Sequence, residues 1–163
     1  DLDYRLRGQR QMCIRDRLRT KVGLFGEVPD DEGLITDLLN WMQQKGADYT
    51  NTFLDLMKEE SPKGESYNSD TFKEWHTRWQ ARRSKNKEPL ESSLALMRAN
   101  NPVIIPRNHK VEQALGAATN SDLQPLKDLL AALREPYENS PDLKRYQSPP
   151  KPEEKVCQTF CGT

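Results

Sequence analysis

The apolar residues of this chain recur at spacings of one, three and four, and no run alternates with period two long enough to make a strand. That one property restricts the chain to helices packed on helices. Leu34, Ile35, Leu38, Leu39 and Met42 mark one amphipathic helix. Asp30 and Asp31, after Pro29, offer its N-cap, and Gly46 offers its stop. A second helix is expected from Asp48, with Tyr49, Phe53, Leu56 and Met57 on one face, followed by a loop at Ser61–Ser66. A third is expected after a cap at Asn68, Ser69 or Asp70. It carries Phe72, Trp75 and Trp79 as an aromatic stripe and Lys73, Arg78, Arg82 and Arg83 on its other face. A fourth starts near Pro89, carries Leu90, Leu94 and Met97, and ends at Asn100-Asn101-Pro102. Val103-Ile104-Ile105, between two prolines, reads as an extended apolar plug. A fifth helix is expected over 108–118 with Val111 and Leu115 inward. A sixth follows from Ser121 or Asp122, with Leu123, Leu126, Leu129, Leu130 and Leu133 inward and Pro125 in its first turn.

Beyond Arg134 the pattern stops. Five of the eleven prolines fall in the last 29 residues, so 135–163 reads as an extended tail without a core of its own, of a kind suited to wrapping a partner surface. Composition agrees with a modest core. Hydrophobic residues are 34%, charged residues 31%, and mean hydropathy is -0.93. Nothing approaches the roughly 18 consecutive apolar residues of a membrane span. No secretory leader is recognisable at the start of the sequence, and three cysteines are too few for a disulfide framework, so the expected setting is cytoplasmic.

Residues 1–17 read as an artefact. Gln11–Arg17, QMCIRDR, is what the codons CAG ATG TGT ATA AGA GAC AGR encode, a string that contains a transposase adapter. The competing reading is a natural basic helical segment carrying Leu6, Ile14 and Leu18. The whole chain has 25 basic and 25 acidic side chains, and residues 18–163 have 20 and 22. Neither balance suits a nucleic-acid binder, which shows a basic excess. The aromatic stripe beside its arginines is therefore read as a core face with solvated charges opposite, rather than as a platform for stacking bases.

Catalytic patterns are missing. No two glycines are separated by a single residue, and there is no phosphate loop, no G-x-S-x-G, no H-R-D and no D-F-G. His76 and His109 are far apart in sequence, and Cys157-x₃-Cys161 alone is weak evidence for a metal. Arg107 is a candidate anion contact. The alternative pairs it with an acid and has Asn108 cap the helix that follows.

Several segments, in order, resemble the selenoprotein O family. Leu18-Arg19-Thr20-Lys21-Val22-Gly23-Leu24 is similar to its M-R-x-K-L-G-L, and Asp48–Phe53 to its D-Y-T-x-T-F. Asn101-Pro102 through Arg107-Asn108 is similar to its N-P-x-x-x-x-R-N. Asp122-Leu123, Glu135-Pro136-Tyr137 and Pro149-Pro150 continue the order, and Cys161 stands third from the end, where the family carries cysteine or selenocysteine. The resemblance implies a kinase-like enzyme that binds ATP in a flipped orientation with magnesium or manganese. It would transfer AMP to hydroxyl side chains of proteins. The nucleotide- and metal-binding residues of that family lie upstream of the matching segments, so no catalytic, cofactor or metal residue carries over. The expectation is an all-α fragment: 18–134 as the helical end of a kinase-like C-lobe, 135–163 as its tail, partnered by a missing N-terminal kinase-like region and inactive without it. Cys161 is implied as a redox thiol, since the family's chalcogen is suspected of bonding a cysteine of the kinase-like domain. The rival reading is a free-standing helical module, without catalytic activity, that grips a partner through Phe72, Trp75, Trp79 and the tail.

Overall fold

In the computed structural model, residues 16–58 and 60–154 are described. They are helical without a strand among them, and they belong to two compact units, Asp1–Asn101 and Pro102–Thr163. The first unit opens with helical residues 16–21. Four helices follow: α1 (Asp31–Lys45), α2 (Tyr49–Leu56), α3 (Asp70–Arg83) and α4 (Leu90–Asn100), with a single 3-10 turn at Ser66–Asn68 before α3.

The ends of these helices follow from local chemistry. Gly46 sits in the left-handed region at φ 60°, and its N–H reaches the Gln43 and Met42 carbonyls, so a residue without Cβ closes α1. Asp48 is extended and its carboxylate accepts from Asn51 N at 2.9 Å, which caps α2. Pro89, extended at φ -64°, precedes α4. The expected cap of α1 takes another form. Asp30 makes no side-chain cap bond, and the carboxylate of Asp31 instead accepts from Val28 N at 3.1 Å and from Arg82.

α1 packs on α3, and the core of the unit lies between them. Phe72, Trp75 and Trp79 are all buried there with Leu34, Leu38, Trp41, Met42, Phe53 and Met97. Trp75 and Trp79 stack with ring centroids 5.6 Å apart and planes 10° from parallel. Each large aromatic buries roughly 150–250 Å², so the stripe anchors a core that a chain of this polarity could not otherwise fill. The indole N–H groups are satisfied inside it: Trp75 Nε1 donates to Leu34 O at 2.7 Å and Trp79 Nε1 to Val22 O at 2.9 Å. One expectation for these helices fails: Arg82 is buried rather than solvated. On α4, Leu94 and Met97 are buried and Leu90 is 61% exposed.

The second unit contains α5 (Asn108–Thr119), α6 (Gln124–Arg134), a short α7 (Lys144–Gln147) and single 3-10 turns at Pro141–Leu143 and Pro152–Glu154. α5 packs against α6. The apolar plug is present: Val103 and Ile104 are buried, and their N–H groups donate to Pro136 O at 2.7 and 3.2 Å. The inward faces are narrower than expected. On α5 the buried residues are His109 and Ala114, while Leu115 is exposed and Val111 half-buried. Leu129 and Ala132 are buried on α6, whereas Leu123 and Leu130 are exposed. Beyond Arg134 the described chain is irregular apart from its short helical turns, and Tyr146 is buried.

Candidate functional site

Two of the sequence segments singled out above, and Asn101 from the start of a third, meet at Lys21 in the first unit. The helical residues 16–21 end in a turn in which Gly23 N reaches Thr20 O and Leu24 N reaches Arg19 O. Gly23 stands at φ +71°, and a Cβ there would lie 2.4 Å from Ser93 Oγ. Only glycine fits, because the backbone conformation and the close approach of α4 both demand it. Its carbonyl accepts from Ser93 Oγ at 2.6 Å and Asn86 Nδ2 at 3.1 Å.

This turn delivers Lys21 to the end of α4. Lys21 Nζ donates to Asn100 O at 2.9 Å and Asn101 Oδ1 at 3.3 Å. Asn101 returns the contact, its Nδ2 donating to Lys21 O and Met97 O at 2.8 and 2.9 Å. The same ammonium lies 5.3 Å from the Phe53 ring centre and 5.9 Å from that of Tyr49, both from the D-Y-T-x-T-F segment. Burial pushes the Lys21 pKa down. An ammonium held by two acceptors and two rings, with no carboxylate paired to it among the described residues, is a clamp between segments. Two of its three N–H donors are spent on the chain's own oxygens.

A second buried cluster fixes the loop between that turn and α1. Arg82 Nε donates to Asp31 Oδ1 at 2.6 Å and its Nη2 to Asp31 Oδ2 at 3.1 Å, a two-pronged pairing. The guanidinium also donates to Phe25 O and Asn86 Oδ1, each at 3.0 Å. Every group in this cluster faces another protein group, so it too serves architecture.

The other expected residues fall elsewhere. Arg107 is buried in the second unit at the N-cap position of α5. Asn108 is the first residue of that helix and not its cap, and Arg107 makes no capping bond through its side chain. His76 is half-buried on α3, and burial, with Arg83 nearby, moves its pKa down. Cys157 and Cys161 lie outside the described residues, as do Cys13 and most of 1–17. No group of three or more His, Cys, Asp or Glu suited to a metal occurs among the described residues. None of their helices is long and apolar enough to cross a membrane.

Comparison with known proteins decides the family. The family model for "Protein adenylyltransferase SelO" matches residues 7–134, most of the chain. The chain belongs to the SelO family. Among SelO-like relatives, the protein nucleotidyltransferase YdiU of Alcanivorax borkumensis is 52% identical over 150 residues, covering 91% of this chain and 31% of that protein. YdiU of Nitrosococcus oceani is 52% identical over 147 residues, covering 90% and 30%. YdiU of Syntrophotalea carbinolica is 49% identical over 154 residues, covering 94% and 31%. The chain thus spans under a third of the length of the curated relatives it matches, and it is a fragment relative to them. The Lys21 clamp and the Gly23 turn lie inside the part that the SelO model matches.

Proposed function

We propose that this chain is the C-terminal helical part of a protein adenylyltransferase. The complete enzyme transfers AMP from ATP to hydroxyl side chains of other proteins. ATP and its Mg²⁺ or Mn²⁺ are held by the kinase-like region upstream, and the helical part alone is inactive. The single observation that carries this reading is the SelO match over 7–134 in a chain spanning under a third of its relatives. The site geometry supports it. The charged groups most deeply buried in the first unit, Asp31 and Arg82, are committed to each other, and Lys21 is committed to backbone and rings. The role of such a unit is to brace a catalytic region and not to hold nucleotide itself. The rival reading as a gripping module loses its main feature, since Phe72, Trp75 and Trp79 are buried in the core. The cytosol is the proposed place of action, where thiols stay reduced unless they serve redox chemistry. Calorimetry with ATP and magnesium is expected to show no binding by this chain alone, and a micromolar dissociation constant would refute that division of labour.

Cys161 is proposed as the thiol that pairs with a cysteine of the upstream region. The bond would form by exchange: the Cys161 thiolate attacks a mixed disulfide between the upstream cysteine and a small thiol, and the small thiol leaves as its thiolate, so access and thiolate character set the rate. In a full-length relative carrying this tail, Cys161→Ser is expected to remove the response of AMP transfer to reductant while leaving the fully reduced rate intact. An unchanged response to reductant would exclude the role.

A further inference from the structure

The leucines of α6 outnumber the places its own unit gives them. Leu123, at the N-cap, and Leu126, Leu130 and Leu133 recur at spacings of three, four and three, so they form one stripe along the helix. The buried residues, Leu129 and Ala132, lie on another face. Leu123 and Leu130 are 50% and 53% exposed, and Leu126 and Leu133 are half-buried. The spacing is that of the a and d positions of a coiled coil, the seam that takes a second helix. Lys127 and Arg134 each follow directly on a d-type leucine, a place where coiled coils carry the charges that select a partner. Both are exposed, and neither pairs with a carboxylate among the described residues. Seven residues separate them, about 10.5 Å along the helix.

Size decides what kind of occupant fits. α6 has 11 residues, so its stripe is about 16 Å long and about 10 Å wide. That is a footprint on the order of 160 Å², against the roughly 800 Å² per partner of a stable interface between free proteins. Neither a second copy nor a separate protein would be held on this stripe alone. An antiparallel second copy would also bring Lys127 of one chain to Arg134 of the other, like charge against like. A helix in the same polypeptide meets no such size limit, because the covalent link holds it at an effective concentration of about 1 mM or more. This chain covers 31% of the Alcanivorax borkumensis relative, so most of such a polypeptide lies outside it.

We propose that, in the complete enzyme, an amphipathic helix from the upstream region sits on the leucine stripe of α6. It lays apolar side chains on Leu123, Leu126, Leu130 and Leu133, and acidic side chains against Lys127 and Arg134. This rests on the reading of the chain as one part of a longer adenylyltransferase. Two proteins are compared: this chain alone, and a polypeptide in which it follows the upstream region of the Alcanivorax borkumensis relative. Hydroxyl-radical footprinting with mass spectrometry reads leucine oxidation, and a carbodiimide joins Lys127 to a carboxylate in contact with it. A contact with a dissociation constant of about 0.1 mM is filled about nine times in ten at an effective concentration of about 1 mM, so Leu123 and Leu130 are expected to oxidise about tenfold more slowly in the long polypeptide. Lys127 is expected to be joined there to an Asp or Glu of the upstream region. Lys127→Glu with Arg134→Glu, two changes at exposed positions, is expected to restore most of the oxidation. Equal oxidation in the two proteins, or protection that the double variant leaves intact, would overturn the assignment. So would Lys127 joined only to a second copy of the chain. Binding of ATP by this chain alone would refute the reading beneath, whereas absent protection without such binding would refute the docked helix only.

Discussion

Asp31→Ala will cost the first unit about 3–5 kcal/mol, the loss typical when one partner of a buried ion pair is removed. The carboxylate is 2% exposed and meets Arg82 through two hydrogen bonds. Its removal leaves a guanidinium that has already given up its water and retains only Phe25 O and Asn86 Oδ1. The same carboxylate also accepts from Val28 N, so the loop leading into α1 loses its anchor in the same step. With domain stabilities of roughly 5–15 kcal/mol, the variant is expected to melt well below the parent. Asp31→Ala with Arg82→Met should lose less than the two single changes added together, because the second removes the stranded charge. Urea unfolding of the four proteins checks both statements. A single-mutant loss under about 1 kcal/mol would show that the pair contributes no more than an exposed surface bridge.

Gly23→Ala is expected to destabilise by roughly 2–5 kcal/mol. An L-residue pays about 1–2 kcal/mol in the left-handed region, and overpacking a core typically adds about 1–3 kcal/mol. Both apply at φ +71° with Ser93 Oγ 2.4 Å from the added Cβ and Met97 Cγ and Sδ at 3.0 Å. Relief requires Ser93 to abandon its 2.6 Å bond to Gly23 O, which leaves a buried hydroxyl without that acceptor. The turn also sets the direction of Lys21, so the Tyr49 and Phe53 ring resonances should shift with it. Ser93→Ala in the same background would recover part of the loss by making room. A denaturation midpoint equal to that of the parent would refute the steric account.

The helices were legible because each carries its own start and stop. Asp48, Pro89 and Gly46 act on backbone groups within a few residues, and that chemistry is readable along the chain. The aromatic stripe was legible too, since three large rings at helical spacing have few places to go except a core. Arg82 was misread because helical spacing places it at the edge of a face. What buries it is a carboxylate 51 residues earlier. Leu115, Leu123 and Leu130 show the converse: spacing marks a residue as apolar, but burial needs a second surface over it, and these three are exposed. The site was half legible. Its segments stood out in order, but the meeting of Lys21 with Asn101 depends on contacts across about 80 residues that no local pattern encodes. Arg83, on the same helix, lies over the Trp79 ring where Arg82 pairs with Asp31, a difference the sequence does not state.

The central claim is that this helical part belongs to an AMP-transferring enzyme whose nucleotide is held by the upstream region. Its most direct test compares label transfer from α-³²P-ATP and γ-³²P-ATP to protein, with magnesium or manganese. The chain alone and a full-length relative containing the same helical part are assayed side by side. Label from the α position on the hydroxyl side chains of target protein, with the full-length polypeptide only, is the predicted result. Label from the γ position, or α-label transferred by this chain alone, would contradict it.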